Sequence, residues 1–448
     1  MLNRIRARIH WQLAKKHRGN DIDSAAKHIL ASIKSAPTYE DRARRGASIL
    51  VSEGRYADAG QICRHYIERG DPLEFWSHYE SFVQELEAAS SALQSKTTAV
   101  KVALLNDTDF RVNIGCRLTS QGLKNLIRQS ISGAWISSHG FRFSAFRHDF
   151  KTEAVSLDTA QLLEERVRVA YGSETIAAIK ASDVVILQPE GSLDDGTTLE
   201  GLKTFFSPII LAQSVGKPNA IINGTIPVYE DERGGFLRNL FSSLPSVAAR
   251  DDISAAHYGI KFIADAAFLY KPATDNAERD GCLITTGARN SVEEDEKIFH
   301  AALEVCDATG LRPIVLTHAV DRFKKFEKAI RSRNGIFAET ASLTKAAETL
   351  ARCRLHVGAR YHMAIFCVVA QVPSLLYDVK THKNKWLGRY SPLITLAAPD
   401  QTLVAQAKEI LSTPIATGTP DDGLEKLSLE FLKGSILSQD GSFQLVRP

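Results

Sequence analysis

What the chain has little of narrows the field first. Its six cysteines, Cys63, Cys116, Cys282, Cys306, Cys353 and Cys367, are scattered through 448 residues with no C-x-x-C pair and no Cys/His spacing suited to zinc. That argues against a disulfide framework and for buried thiols in a reducing compartment. No apolar run reaches the roughly 18–20 residues of a membrane span. The basic N-terminus lacks the continuous apolar core and small-residue cleavage site of a signal peptide, so a cytoplasmic protein is expected. An excess of one charge is missing too: 55 Lys and Arg against 52 Asp and Glu leave +3, no global field for nucleic acid. Absent as well are the phosphate-loop, dinucleotide, zinc-protease and serine-hydrolase signatures.

What is present divides the chain into segments. Residues 1–97 read as an all-α accessory domain. Its start carries Arg4, Arg6, Arg8, Lys15, Lys16 and Arg18 with no acid, and Leu2, Ile5, Ile9 and Leu13 recur at helical spacing. Such a helix suits an anionic lipid surface, or packing on its own domain or a partner. Thr38 with Asp41 resembles a capping box, and residues 50–72 resemble one tetratricopeptide-type helix pair. From residue 98 the pattern changes. Short apolar runs at 100–105, 184–187, 219–222, 247–249, 283–285, 313–316, 355–357 and 374–376 alternate with helical stretches such as 164–171, 174–181, 293–308 and 344–351. Alternation of this kind specifies parallel sheets covered by helices on both faces. The expected fold class is α/β: two Rossmann-like units, 98–275 and 276–395, facing a cleft. Helices at 403–410 and 423–436, within 396–448, are expected to pack back on them.

In open α/β sheets ligands bind beyond the carboxyl ends of the strands. Residues there are Asn113 and Gly115; Glu190, Gly191 and Ser192; Asn223 and Gly224; Arg250 with Asp251; Arg289; His318; and Arg360 with His362. Arginine carries a forked permanent charge, and glycine lets backbone N–H groups approach an anion. An anionic small molecule is the ligand this set suits. Asp107 and Asp109 form a D-x-D that reads as a metal site or, more in keeping with its place after the first strand, as loop and cap residues.

Two stretches carry a family resemblance. Arg360, Tyr361, His362, Met363, Ala364 and Ile365, followed by Pro373, Tyr377, Asp378 and Lys380, resemble the C-terminal signature of the polysaccharide pyruvyl transferase family. Arg250, Asp251 and Ser254, with Gly259, Asp265 and Phe268 behind them, resemble its Arg-Asp-x-x-Ser segment and later Asp-x-x-Phe. Asn113 with Gly115, and the strand led by Asp183, match more weakly. Together they span about residues 100–385. The resemblance implies a GT-B-like fold and transfer of the enolpyruvyl-derived group of phosphoenolpyruvate to a sugar of a cell-surface polysaccharide or its lipid-linked precursor. The product is a ketal and phosphate leaves. Phosphoenolpyruvate is the donor substrate and no cofactor is implied. The acceptor partner is a glycan or lipid-linked oligosaccharide, with the inner membrane surface or polysaccharide-assembly proteins as partners for residues 1–97.

Within that chemistry His362 is expected as general acid/base, against the alternative of capping the helix that follows. Arg250 would bind the donor carboxylate or phosphate, against pairing with Asp251 or Asp252. Arg360 and Arg289 are further donor contacts, and His318 is a reserve candidate. Lys380 belongs to the loop of Asp378, while His356 reads as a core histidine. Where the family has a run of glycines after the Asp183 strand, this chain keeps only Gly191. Glu190 sets a carboxylate there, to act as base or to accept acceptor hydroxyls. The competing readings are a GT-B-like glycosyltransferase using an activated sugar and a non-catalytic assembly component.

Overall fold

The structure is a computed structural model that describes residues 2–17, 21–71, 74–94, 99–147, 159–272, 278–287, 290–317, 324–377, 383–413 and 422–436. Helices α1 (Leu2–His17), α2 (Ile22–Ser35), α3 (Glu40–Ser52), α4 (Tyr56–Ile67) and α5 (Phe75–Gln94) precede the first strand. Their common core holds Ile29, Leu50, Ile62, Trp76 and Tyr79, each large side chain contributing roughly 1.5–3 kcal/mol by burial. Helix α3 turns back into α4 through Gly54, whose φ of 71° needs no Cβ. The capping box expected at Thr38 and Asp41 does not form. Helix α3 starts behind Tyr39, which makes no side-chain cap bond; Glu40 instead meets Trp76 Nε1 at 3.1 Å and Arg44 at 2.8 Å.

Helix α1 packs on its own domain, but not through the apolar stripe read from the sequence. Its inner face is Ala7 and Ala14, small enough that Ser32 Oγ reaches the Ala7 carbonyl at 2.8 Å. Ile5 and Ile9 face solvent, 49% and 53% exposed. Close helix approach selected the small residues, and the larger ones were left outside.

The α/β part contains two six-stranded sheets, parallel in every pairing. The first has β1 (Lys101–Leu105), β2 (Trp135–His139), β3 (Val184–Leu187), β4 (Asn219–Gly224), β5 (Val247–Ala249) and β6 (Lys261–Phe262) in the order β2-β1-β3-β4-β5-β6. The second has β7 (Gly281–Thr285), β8 (Arg312–Thr317), β9 (Ile336–Glu339), β10 (Cys353–Gly358), β11 (Ser374–Tyr377) and β12 (Ile394–Ala397), ordered β12-β11-β10-β7-β8-β9. The second is the doubly wound dinucleotide-type order, and the first reverses like a flavodoxin sheet. Their switch points lie between β1 and β3 and between β7 and β10. Inner strands are apolar on both faces because helices cover both; β1, β3 and β4 are buried almost throughout.

The units meet along helix α6 (Ile114–Ser130), whose Ile114 and Leu118 share a core with Tyr361, Met363 and Ala364 of the second unit. Buried Arg117 crosses the same seam, binding the Arg111 carbonyl at 3.0 Å and the Ala341 carbonyl of the second unit. Helix Leu403–Ser412 lies on the second unit through Leu403 and Ala407. Helix Asp422–Ile436 lies on the first through Phe431 and Leu432. None of the described helices is long and apolar enough to cross a membrane.

Candidate active site at the seam of the two units

The carboxyl ends of β4 and β5 bring Thr225 and Arg250 together. Arg250 is fully buried; its Nε donates to Thr225 Oγ1 at 3.0 Å and its Nη1 to Asp265 Oδ2 at 2.7 Å. Asp265 is fixed in turn, because Oδ1 accepts from the Ala267 amide at 2.8 Å and Thr119 Oγ1 at 2.9 Å. From the second unit His362 places Nε2 at 3.1 Å from Arg250 Nη1 and 3.4 Å from Asp265 Oδ2. The Tyr361 ring lies 5.2 Å from the guanidinium, within cation–π reach.

Burial works against both charges of this pair, and each is held by the other. Asp265 outweighs the desolvation of Arg250 and raises its pKa, while Arg250 and then His362 keep the Asp265 carboxyl well below the usual carboxylate range. Arg250 Nη2 has no hydrogen-bond acceptor among the described residues. A buried donor left so is costly, of order 1–3 kcal/mol, and marks a position where an incoming anion gains a charge-assisted bond.

The helix carrying His362, Tyr361–Val369, begins behind Arg360, which makes no side-chain cap bond. His362 therefore does not cap the helix; it faces α6. There Gly115 admits it: a Cβ on Gly115 would stand 2.7 Å from His362 Nδ1. Asn113 caps α6, its Oδ1 accepting from the Gly115 amide at 2.9 Å. Nor does Arg250 pair with Asp252, which meets Arg389 at 2.9 Å; Asp251 caps helix Asp252–Tyr258, accepting from the Ser254 amide at 2.7 Å.

Glu190 sits beside this cluster in a left-handed conformation, φ 48°, where side chains are disfavoured. Its backbone bridges to β4: the Glu190 amide donates to the Asn223 carbonyl at 3.2 Å, and the Thr225 amide to the Glu190 carbonyl at 2.8 Å. Its carboxylate accepts from Cys116 Sγ at 3.6 Å and lies 4.0 Å from Arg111 Nη1. Burial, then Glu190, pushes the Cys116 thiol up to about 12.

The remaining candidates divide by contact. Asn223 donates to Thr119 Oγ1 at 2.8 Å and Gln188 Oε1 at 3.1 Å and accepts from the Ala266 amide at 2.9 Å. Ser192 Oγ accepts from Asn106 Nδ2 at 3.0 Å. Gly224 is packed on Pro189, 2.7 Å from where its Cβ would be. Gly191 is different: Arg250 Nη2 lies 3.6 Å from its Cβ position, so Gly191 flanks the unpartnered donor. Arg360 and Asn113 line a cavity of about 30 Å³ between the two switch points, with Thr285, Thr286 and Met363. Arg289, His318 and Lys380 lie outside the described residues. His356 is a core residue, bonded to Thr285 Oγ1 at 2.8 Å and Ser374 Oγ at 3.1 Å, and burial lowers its pKa to about 3.

The D-x-D carboxylates meet a lysine. Lys124 Nζ, buried on α6, stands 3.1 Å from Asp107 and 2.8 Å from Asp109, and His78 of α5 completes the group at 3.1 Å from Asp109. Among the described residues no group of three or more His, Cys, Asp or Glu is arranged to hold a metal ion.

Asp265 and Arg111 had no role assigned from the sequence. Asp265 was visible in the Asp-x-x-Phe segment, but nothing local says that it faces Arg250. Arg111 sits in the loop after β1, the place where strand-end reasoning looks.

Fold and site together define a protein of two parallel α/β units in GT-B-like order with an arginine–aspartate–histidine cluster at the seam. The chain belongs to the polysaccharide pyruvyl transferase family, whose model matches residues 100–381, well over half of its length. It is thus an enzyme of polysaccharide modification. No curated protein sequence matches the chain. Solved structures with overall likeness include an S. aureus MnaA–UDP co-structure, 13% identical with a TM-score of 0.49, covering 77% of this chain and 100% of that one. UDP-GlcNAc 2-epimerase from Neisseria meningitidis bound to UDP-GlcNAc is 11% identical, TM-score 0.42, covering 74% and 99%. A mutant O-GlcNAc transferase from Thermobaculum terrenum is 10% identical, TM-score 0.39, covering 98% and 95%.

Proposed function

We propose that the chain transfers a pyruvyl group from phosphoenolpyruvate to two hydroxyls of a sugar in a cell-surface polysaccharide or its lipid-linked precursor. The observation that carries this reading is the buried Arg250, whose Nη1 is shared by Asp265 and His362 while Nη2 is unpartnered. A donor bearing a carboxylate and a phosphate needs such a cation in a water-poor site. A proton delivered to the donor's methylene carbon makes it a methyl group and leaves the adjacent carbon electrophilic. One sugar hydroxyl adds there, a second displaces phosphate, and each gives up its proton. Two carbon–oxygen bonds form and one breaks, with no net oxidation.

In this reading His362 carries the protons, and Asp265, 3.4 Å from its Nε2, orients it and balances Arg250. Glu190, turned toward Arg111 and Cys116, serves as base toward the acceptor hydroxyls. Donor contacts in this reading are Arg360 and Asn113, which line the seam cavity, Gly115 beside His362 and Gly191 beside Arg250 Nη2, with Arg289, His318 and Lys380 as further ones. No cofactor is required by this scheme.

The test is incubation with phosphoenolpyruvate and a lipid-linked glycan, read by the glycan's mass gain and by phosphate release. Gain matched by phosphate is the expected result, and His362→Ala should abolish both. No gain on any glycan tested, together with no thermal stabilisation by phosphoenolpyruvate, overturns the reading.

The outward face of α1 favours attachment at the inner face of the membrane. Ile5 and Ile9 are exposed there and Arg4, Arg6 and Arg8 are exposed around them. Ile5→Glu with Ile9→Glu should release the protein from anionic vesicles in a sedimentation assay, and unchanged binding rejects the attachment.

A further inference from the structure

A second cavity, far larger than the one at the seam, lies between the helical domain and the carboxyl edge of the first sheet. Its volume is about 880 Å³, near the top of the roughly 300–1,000 Å³ range of small-molecule pockets. One wall is α1 and α3; the other is the two loops that leave β1 and β2, the edge where open α/β sheets place ligands.

The lining has one sign of charge. Lys15, Arg44, Arg45, Arg111 and Arg142 contribute to it and no carboxylate does. Arg44 is paired with Glu40 and Arg142 with Glu53, from outside the cavity. Lys15 and Arg45 are exposed, and no carboxylate among the described residues stands within ion-pair distance of either. Between the cations lie Trp11, Phe75, Tyr79, Phe110 and Phe143, with Arg111 4.6 Å above the Phe143 ring and Arg44 5.1 Å above Phe75.

Flat aromatic faces beside arginines are what a chain of acidic sugars requires. The apolar C–H face of a sugar ring stacks on an aromatic ring, and its carboxylate or phosphate meets a guanidinium. Of these rings Phe143 is 46% exposed, whereas Phe75 and Tyr79 are buried. The lining of the cavity continues along the chain into that of the seam. Phe110, Arg111 and Val112 line it, Asn113 lines the seam cavity, and Arg111 reaches to 4.0 Å from Glu190.

We propose that this cavity binds an acidic oligosaccharide and lays its end toward Glu190 along residues 110–113. Binding does not depend on the donor; only the direction of the chain rests on the pyruvyl-transfer reading.

The experiment uses the full chain and an oligogalacturonate as the acidic probe, with maltohexaose as the neutral control, followed by titration calorimetry. Lys15→Glu with Arg45→Glu alters only exposed positions and should weaken oligogalacturonate binding by about tenfold or more, the scale of a charge-assisted contact. Trp11→Ala should weaken it comparably, and thermal stabilisation by phosphoenolpyruvate should be unchanged in both variants. Binding should weaken with salt, since part of it is electrostatic. The proposal is overturned if the wild-type protein does not bind oligogalacturonate, if maltohexaose binds equally well, or if the charge-reversed protein binds like wild type. It is also overturned if these substitutions remove only binding to anionic vesicles. Failure of the pyruvyl-transfer reading would show separately, as loss of the phosphoenolpyruvate response with oligosaccharide binding intact.

Discussion

Two buried ion clusters hold this protein's parts together, and they are made of nearly the same groups. Lys124 with Asp107, Asp109 and His78 joins the first α/β unit to the helical domain. Arg250 with Asp265 and His362 joins the first unit to the second. In each, burial opposes the charges and the opposite charge overrides it: Lys124 is raised and Asp109 lowered, just as Arg250 is raised and Asp265 lowered. The difference is valence. Lys124 faces two carboxylates, whereas the paired nitrogen of Arg250 faces one and its Nη2 faces none. Burial and a shifted pKa alone do not mark a reactive site, nor does an unused donor by itself, since Arg117 Nη2 has no acceptor among the described residues either; what sets Arg250 apart is an unused donor beside His362 and Gly191 at the strand ends.

That contrast can be broken by substitution. Arg250→Met should lower turnover by about 10²–10³-fold, the usual effect of removing one electrostatic donor. Arg250→Lys, which keeps the charge but not the fork, should recover stability better than rate. Phosphate release alongside urea unfolding measures both, and ordinary turnover in Arg250→Met would erase the distinction. Lys124→Met should cost about 3–5 kcal/mol of stability by stranding buried carboxylates, with turnover per folded molecule unchanged. A rate loss beyond the folded fraction would mean that the two clusters are not separate in function.

Protonation sharpens the comparison, because two buried histidines stand outside both ion clusters and are kept neutral by burial. His356 titrates at about 3 and His139 at about 4 in the folded chain, both lowered by burial, against about 6.5 unfolded. The unfolded state therefore binds more protons below about 6.5, and stability falls as pH drops from there toward the folded values. By pH 4.5 His356 alone should remove about 3 kcal/mol. His356→Asn should flatten that slope in urea midpoints measured between pH 7 and 4.5; an unchanged slope would place the acid sensitivity elsewhere. The smallest effect is expected at Glu190. Glu190→Gly should raise stability by about 1 kcal/mol through relief of its left-handed backbone, and a lower urea midpoint would mean that its carboxylate contacts outweigh the strain.

The eight apolar runs read from the sequence correspond to β1, β3, β4, β5, β7, β8, β10 and β11. The four strands not foreseen, β2, β6, β9 and β12, are the four sheet edges. An edge strand is covered less completely, so its sequence need not be continuously apolar; β12 alternates in burial and β6 has two residues. Site residues follow the same logic. Arg250, Glu190 and His362 were legible because each follows an inner strand. That Asp265 faces Arg250, or that Lys124 answers the D-x-D, was not, since those partners come from separate elements folded together. Helix α1 misled for another reason: periodicity identifies an apolar stripe but not which face a neighbour approaches, and here close packing chose alanines.

Gly115 carries a consequence for how freely this sequence can drift. With His362 Nδ1 2.7 Å from where its Cβ would stand, any other residue there displaces the imidazole or parts the two units. A position that touches no substrate by a side chain thereby becomes as intolerant of change as the histidine itself. Variation in this chain should accumulate around that spot, not in it.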